Sequence, residues 1–468
     1  MNALKTGLAL VGLLVGAGFA TGKEVTQYLV SFGMLGIPGV IAAAIITSFA
    51  AMVAMTAGSY FLAEEHSSVF DKIAHPIISK IMDYGATITQ FSIGFIMIAG
   101  SGATMNEQFG IPTWIGAIIL AVLVAVAGML DVNKVSMVIG AATPLIIVVL
   151  FALFGWILLN KPDGSFTELA NIATQNDSPV KPWWLSSLNY AGMTLATGIS
   201  MILVIGGDST NLRNATRGGL IGGIIFSVLV IIETVTLLLA APLVLGSDVP
   251  NLTLAREVGP VFSTVVSIVV LLMVFNTALG MFYALGRRLT AKKPKLYRPV
   301  FLGGIGVGFA LSFAGFGALT AIIFPILGYI GIVIGVALIL WRFKSASRIE
   351  REGQTRSRIW KIVMAPAAAS SRDSRRIVQL IRGSAPDNTR MVHVLKQDVQ
   401  HFTDAEPEDD ESSEDSADSA NGVPKKDGDT PTTELHDVLG QLDELKDDDD
   451  ESEGDRKDDG DAKDTTSK

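Results

Sequence analysis

The 468-residue chain contains no cysteine, which excludes disulfides, zinc–thiolate sites and thiol nucleophiles. Histidine is scarce: His66, His75, His393, His401 and His436 all lie outside the long apolar runs, so a histidine proton relay within a membrane is excluded. Aromatic residues make up 7% of the chain. The apolar part shows no serine–histidine–aspartate set, no metal-ligand cluster and no nucleotide-binding loop, which argues against an enzyme and against a resident cofactor. Nothing in it suggests a nucleic-acid partner. What the chain does have is apolar surface, with 49% hydrophobic residues and a mean hydropathy of +0.46.

Charge divides the sequence into unlike parts. Residues 1–344 hold 18 Lys/Arg against 14 Asp/Glu, whereas residues 345–468 hold 18 against 31, so the acidic balance belongs to the tail. A bilayer-crossing helix needs about 20 mostly apolar residues. Such segments recur near 5–31, 35–62, 78–106, 112–130, 133–158, 185–206, 218–245, 259–286, 299–314 and 317–341, which makes ten expected spans in a transmembrane domain of residues 1–344. A secretory signal peptide is the alternative for the first, but the many spans that follow favour reading it as one of them. Lys72, Lys80, Lys134, Arg213, Arg217 and the run from Arg287 to Arg298 fall on one set of connections; Lys161, Lys181 and Arg256 fall on the other. The positive-inside rule then gives a multi-pass cell-membrane protein with both termini cytoplasmic.

Within the first span the stretch VGAGFATGKEV, residues 15–25, concentrates three glycines, each costing about 1 kcal/mol against alanine in a helix. It resembles a dinucleotide fingerprint, which requires a preceding strand that is missing here. A small-residue packing face is a stronger alternative. Against packing alone, Lys23 and Glu24 follow at once, and an interrupted early span is a sequence pointer to a transporter's binding site. Five spans on, LNYAGMTLATGISMILV (188–204) repeats Ala-Gly and Ala-Thr-Gly. Five spans per half insert the two halves with opposite topology, which makes spans 1 and 6 counterparts, so both are expected to be broken.

VGAGFATGKEV resembles the signature of the YkvI-like membrane proteins of the amino acid–polyamine–organocation superfamily, and VFNTALGMFYALGRRL (274–289) resembles their eighth helix. The likeness covers about residues 5–343. It implies an all-α, LeuT-type fold of five-plus-five inverted repeats and a secondary transporter of amino acids or related solutes. In such a site the amides opening the outer half of span 1 suit a carboxylate, and the carbonyls ending its inner half suit an ammonium group or sodium ion. The expected substrate set is Gly16, Ala17, Gly18, Phe19 and Thr21 from span 1, with Asn189, Tyr190 and Gly192 from span 6. The resemblance also implies a sodium site between spans 1 and 8, formed by the carbonyls of Gly12 and Val15 with the side chains of Asn276 and Thr277. Interhelical hydrogen bonding is the alternative role for the last two. Glu233 sits mid-span, where a charge costs at least about 2.5–3.5 kcal/mol; proton coupling and a structural hydrogen bond are its two readings. Glu24 is expected to line the outer vestibule or pair with Lys23.

Residues 345–403 form a basic juxtamembrane segment suited to anionic lipid headgroups, in which RRIVQLIRG reads as an amphipathic helix on the membrane surface. Residues 404–468 are acidic and expected to be disordered, except for a short helix at 432–446 with a spaced leucine face, suited to docking a cytoplasmic protein partner. The leading function is a cation-coupled, sodium-dependent symporter working by alternating access. Its rival is a non-transporting sensor or scaffold that signals through the tail.

Overall fold

The computed structural model describes residues 3–129, 142–363, 371–386 and 388–403. The acidic tail and its expected helix at 432–446 lie outside the described residues, as does the start of span 5. Described residues are helical throughout the membrane part. Span 1 comprises α1 (Ala3–Leu14), α2 (Ala17–Thr21) and α3 (Lys23–Tyr28); span 2 is α4 (Gly36–Phe61), followed by the short α5 (His66–Ile73). Spans 3, 4 and 5 are α6 (Pro76–Phe109), α7 (Thr113–Ala127) and α8 (Ala142–Leu159), with α9 (Phe166–Ala173) in the long connection that follows. Spans 6 and 7 are α10 (Trp183–Gly207) and α11 (Leu212–Leu239), and α12 (Ala241–Val244) and α13 (Pro250–Val258) lead into span 8, α14 (Pro260–Leu289). Spans 9 and 10 are α15 (Tyr297–Ser312) and α16 (Phe316–Lys344). Six of these helices are long and apolar enough to cross a bilayer unaided, namely spans 2, 3, 6, 7, 8 and 10. The outward faces of spans 2, 4, 5 and 10 carry exposed Ile45, Leu123, Val148 and Ile322, as a lipid-facing belt requires.

The packing repeats with a step of five. Span 1 packs on span 7 as span 6 does on span 2; span 3 packs on spans 4 and 9 as span 8 does on spans 9 and 4; span 5 packs on span 7 as span 10 does on span 2. Two interleaved glycine rows on α11 bring span 7 close to spans 1 and 2. A Cβ at Gly222 would stand 2.6 Å from the Gly7 carbonyl of α1, and one at Gly223 would stand 2.7 Å from the Ser48 Cα of α4. Gly218 and Gly219 repeat the arrangement one turn earlier, against Thr6 and Met52. Small residues at four-residue spacing let backbones meet where lipid supplies no hydrophobic drive.

Span 6 corrects the expectation of a second broken helix: α10 runs unbroken from Trp183 to Gly207. Its small residues serve packing instead. Gly192 meets the backbone of Gly328 and Gly331 on α16, Gly198 admits Leu14, and the Asn189 amide donates to the Pro325 carbonyl (3.0 Å).

The juxtamembrane segment also differs from expectation. It folds as α17 (Ala346–Val363), α18 (Ser371–Arg382) and α19 (Asn388–Thr403). The apolar face of α18, with Ile377 and Ile381, is buried against Ile359, Met391, Leu395 and Leu62 rather than turned outward to lipid. Arg356, 1% exposed, donates to the carbonyls of Ser59 (2.7 Å) and Tyr60 (2.8 Å) at the end of α4 and to Glu352 (2.7 Å). Thr210, between spans 6 and 7, receives the Trp360 indole (2.8 Å) on its hydroxyl and donates its amide to Asp398 (2.9 Å). Removing one partner of a buried ion pair costs about 3–5 kcal/mol. Arg356→Ala should therefore release these helices, read as faster limited proteolysis within residues 346–403 while the membrane part stays intact.

Candidate functional site

Span 1 leaves helical geometry at Val15–Gly16. Gly16 is extended (φ −95°, ψ −176°), and its amide bonds to the Leu14 carbonyl at 2.9 Å instead of reaching Gly12. The carbonyls of Gly12, Leu13 and Val15 therefore lack helical partners, as do the amides of Ala17, Gly18 and Phe19 that open α2. A second interruption follows at Gly22 (φ 77°), a left-handed conformation that glycine adopts without a Cβ penalty. The carbonyls freed there are satisfied in part by Asn251 on α13, whose amide nitrogen reaches Phe19 O (3.4 Å), Ala20 O (3.1 Å) and Glu233 Oε1 (2.9 Å). Glu233, fully buried on α11, thus holds the clamp that holds the break, and its second oxygen has no partner.

A cavity of about 310 Å³ opens beside the first interruption, walled by spans 1, 3, 6 and 8 with Phe324 of span 10. It continues through Gln90, Ser200, Met201 and Ala284 into a vestibule of about 720 Å³ on the face that carries Arg287 and Arg288. The opposite side is sealed. Lys23 Nζ binds Asp248 (2.9 Å) and the Ser247 carbonyl (2.8 Å), and the Ser247 hydroxyl donates to Glu107 of span 3 (2.7 Å). These bonds tie the segment between spans 7 and 8 across the end of span 1. Access is one-sided.

Of the residues expected from sequence, Gly12, Val15, Gly16, Ala17, Gly18, Phe19, Asn276 and Thr277 all line the cavity. A Cβ at Gly12 or Gly16 would meet nothing within 4 Å, so both glycines leave open space beside the backbone. The side chains of Asn276 and Thr277 make no hydrogen bond among the described residues, whereas Thr194, Thr234 and Thr290 all bond back four residues. Thr21, Asn189, Tyr190, Gly192 and Glu233 do not line the cavity. Thr21 donates to the Gly18 carbonyl (2.8 Å), and the unbroken helix turns Asn189 and Gly192 towards span 10. Glu24 departs most from its expected place: it faces the cavity, packed against Gly18, while Lys23 takes Asp248 as its partner. Sequence reasoning did not single out Gln90, Thr194, Thr197, Ser200 or Asn251. The Asn that follows Pro250 was the one local signal for the clamp, as a helix start aimed back at the membrane.

This architecture is that of a polytopic membrane protein with a LeuT-type fold. In sequence the chain is similar to two uncharacterized proteins of one bacterium. It is 23% identical over 345 residues to the uncharacterized membrane protein YkvI of Bacillus subtilis (strain 168), covering 72% of this chain and 95% of the relative. It is 24% identical over 342 residues to the uncharacterized protein YyaD of the same organism, covering 72% and 96%. No protein-family model matches the chain. Among solved structures, MhsT in complex with L-phenylalanine aligns with a TM-score of 0.50 at 15% identity over 84% of this chain and 98% of that one. Mhp1, a nucleobase-cation-symport-1 family transporter in a closed conformation with bromovinylhydantoin bound, also gives 0.50, at 14% identity over 66% and 71%.

At the vestibule mouth, Arg288 contacts both His66 Nε2 and Asp83. Burial, reinforced by Arg288 and opposed by Asp83, holds the His66 imidazole down at about 4 against an ordinary value of 6.5. Between those values the unfolded chain takes up a proton that the folded chain does not. Stability present at neutral pH is therefore lost as pH falls through this window. The melting temperature should drop from about pH 6.5 to pH 4, and His66→Gln should flatten that drop in a pH series of melts.

Proposed function

We propose that the protein is a secondary transporter that moves an amino acid or related small solute by alternating access, coupled to a cation. One observation carries this reading: the opened backbone of span 1 borders a cavity that continues to one face of the membrane and is sealed from the other. A channel needs a continuous path, and a purely structural helix bundle has no use for an interrupted span whose freed backbone groups face a hollow. The YkvI-like relatives are themselves uncharacterized, so the substrate class draws support from the site and from the phenylalanine-bound structural neighbour.

Sodium is the coupling ion in this reading. The partnerless carbonyls of Gly12 and Val15 and the free side-chain oxygens of Asn276 and Thr277 offer the hard oxygen ligands that a small cation requires. Loop charge favours a cytoplasmic location for the vestibule, in which case the described conformation is inward-open. Glu233, linked through Asn251 to the carbonyls of α2, is the proposed site at which a proton would act on the break. The docking of Arg356 on spans 2 and 6–7 favours, as a second reading, a sensor whose tail reports the state of the membrane part.

Uptake into proteoliposomes separates the two. A transporter should accumulate a solute from an amino-acid panel faster with an inward sodium gradient. Thr277→Ala should raise the sodium concentration giving half-maximal uptake by about tenfold, which corresponds to one lost ligand worth about 1.4 kcal/mol. Sodium-independent uptake, unchanged by Thr277→Ala, would remove the sodium assignment. No uptake of any solute, with a folded protein and an intact tail interaction, would leave the sensor.

A further inference from the structure

The charge balance inside the cavity restricts what it can hold. Among the residues lining it, Glu24 is the sole ionisable acid or base. Its carboxylate lies against Gly18 so closely that any Cβ at that position would overlap Oε2. The absence of a side chain at Gly18 therefore makes room for a carboxylate supplied by the protein. That carboxylate occupies the flank of α2, beside the amides where a solute carboxylate would otherwise be received. The nearest cation in sequence, Lys23, is turned away to Asp248 and the Ser247 carbonyl. Behind Glu24 stands the buried Tyr190 hydroxyl, within reach of its carboxyl.

A second carboxyl group brought into this space would meet that of Glu24, with no arginine, lysine or histidine in the lining to receive it. An ammonium group meets the opposite condition. Its charge favours the ionised form of the Glu24 carboxyl, and the charge-assisted hydrogen bond that results in this water-poor site is stronger than a neutral one. The remaining walls, including Ile93, Met97, Met193, Met281 and Phe324, suit an apolar body. Methionine in particular adapts to varied shapes.

We propose that Glu24 receives the ammonium group of the transported solute and that no solute carboxylate is required, so the site selects small organic monocations with an apolar body. This rests on the transporter reading above and narrows its substrate class. It gives Gly18 a specific task, to seat the Glu24 carboxylate beside the interrupted backbone.

The test uses the full chain and matched trios of compounds: leucine, isoamylamine and 4-methylpentanoate; phenylalanine, phenethylamine and 3-phenylpropionate. Thermal shift of the purified protein and flux in proteoliposomes are both measured. The amines should bind at least as tightly as their parent amino acids, and the acids should not bind. Glu24→Gln should weaken amine binding tenfold or more while the ligand-free melting temperature holds. Glu24→Asp, which keeps the charge but withdraws it by one methylene, should fall between the two. The wild-type competition panel needs no variant, so a misfolded Glu24→Gln does not shield the proposal. Amino acids bound tenfold more tightly than amines, or amine binding unchanged in Glu24→Gln, would overturn it while leaving transport standing. Neither binding nor flux across the panel would overturn both readings.

Discussion

The structure turns on a constraint imposed by lipid: a backbone amide or carbonyl at membrane depth must find a partner or face a polar hollow. Span 1 breaks its ladder at Gly16 and again at Gly22, and much of the surrounding architecture answers for the groups this releases. The second break is answered within the protein, by Asn251 reaching the carbonyls of α2 and by Glu233 fixing Asn251 from span 7. The first break is left unanswered, and the cavity lies there. The difference between the two sites separates structural repair from an open, unpaired backbone within a single helix.

Closure on one side follows from the same geometry. Lys23 and Glu24 open α3 as consecutive residues, which a helix turns to different faces, so one reaches the sealed side and the other the cavity. Adjacent residues of opposite charge thus serve different tasks.

Much of this was legible in the sequence, and the failures share a cause. Hydropathy placed the spans, and the density of glycine placed the opening in span 1. The Ala-Gly and Ala-Thr-Gly echo in span 6 misled because small residues have two uses in a membrane: they permit a helix to unwind, and they permit two helices to touch. Gly192 does the second, and only the position of Gly328 and Gly331 on a distant span distinguishes the cases. Gly18 was read as room for a ligand, whereas its neighbour is Glu24, six residues on and reachable only because of the turn at Gly22. RRIVQLIRG was expected on the membrane surface because the sequence shows no partner for its apolar face, which Ile359, Met391 and Leu395 supply. The carbonyls of Ser59 and Tyr60 that bury Arg356 carry no sequence signature.

The paired glycine rows of span 7 bear on how such a molecule can change shape. Span 7 comes close to span 1 on one side and span 2 on the other at these glycines, leaving little side-chain layer there to shear or repack. Packed interiors yield between discrete arrangements rather than by continuous deformation. Span 6 joins the same assembly, because Gly58 of span 2 abuts the Leu203 carbonyl and Gly206 of span 6 abuts the Met55 carbonyl, so these helices resist sliding past one another. The two interruptions in span 1 leave its ladder open within that assembly, which makes them the natural place for it to bend.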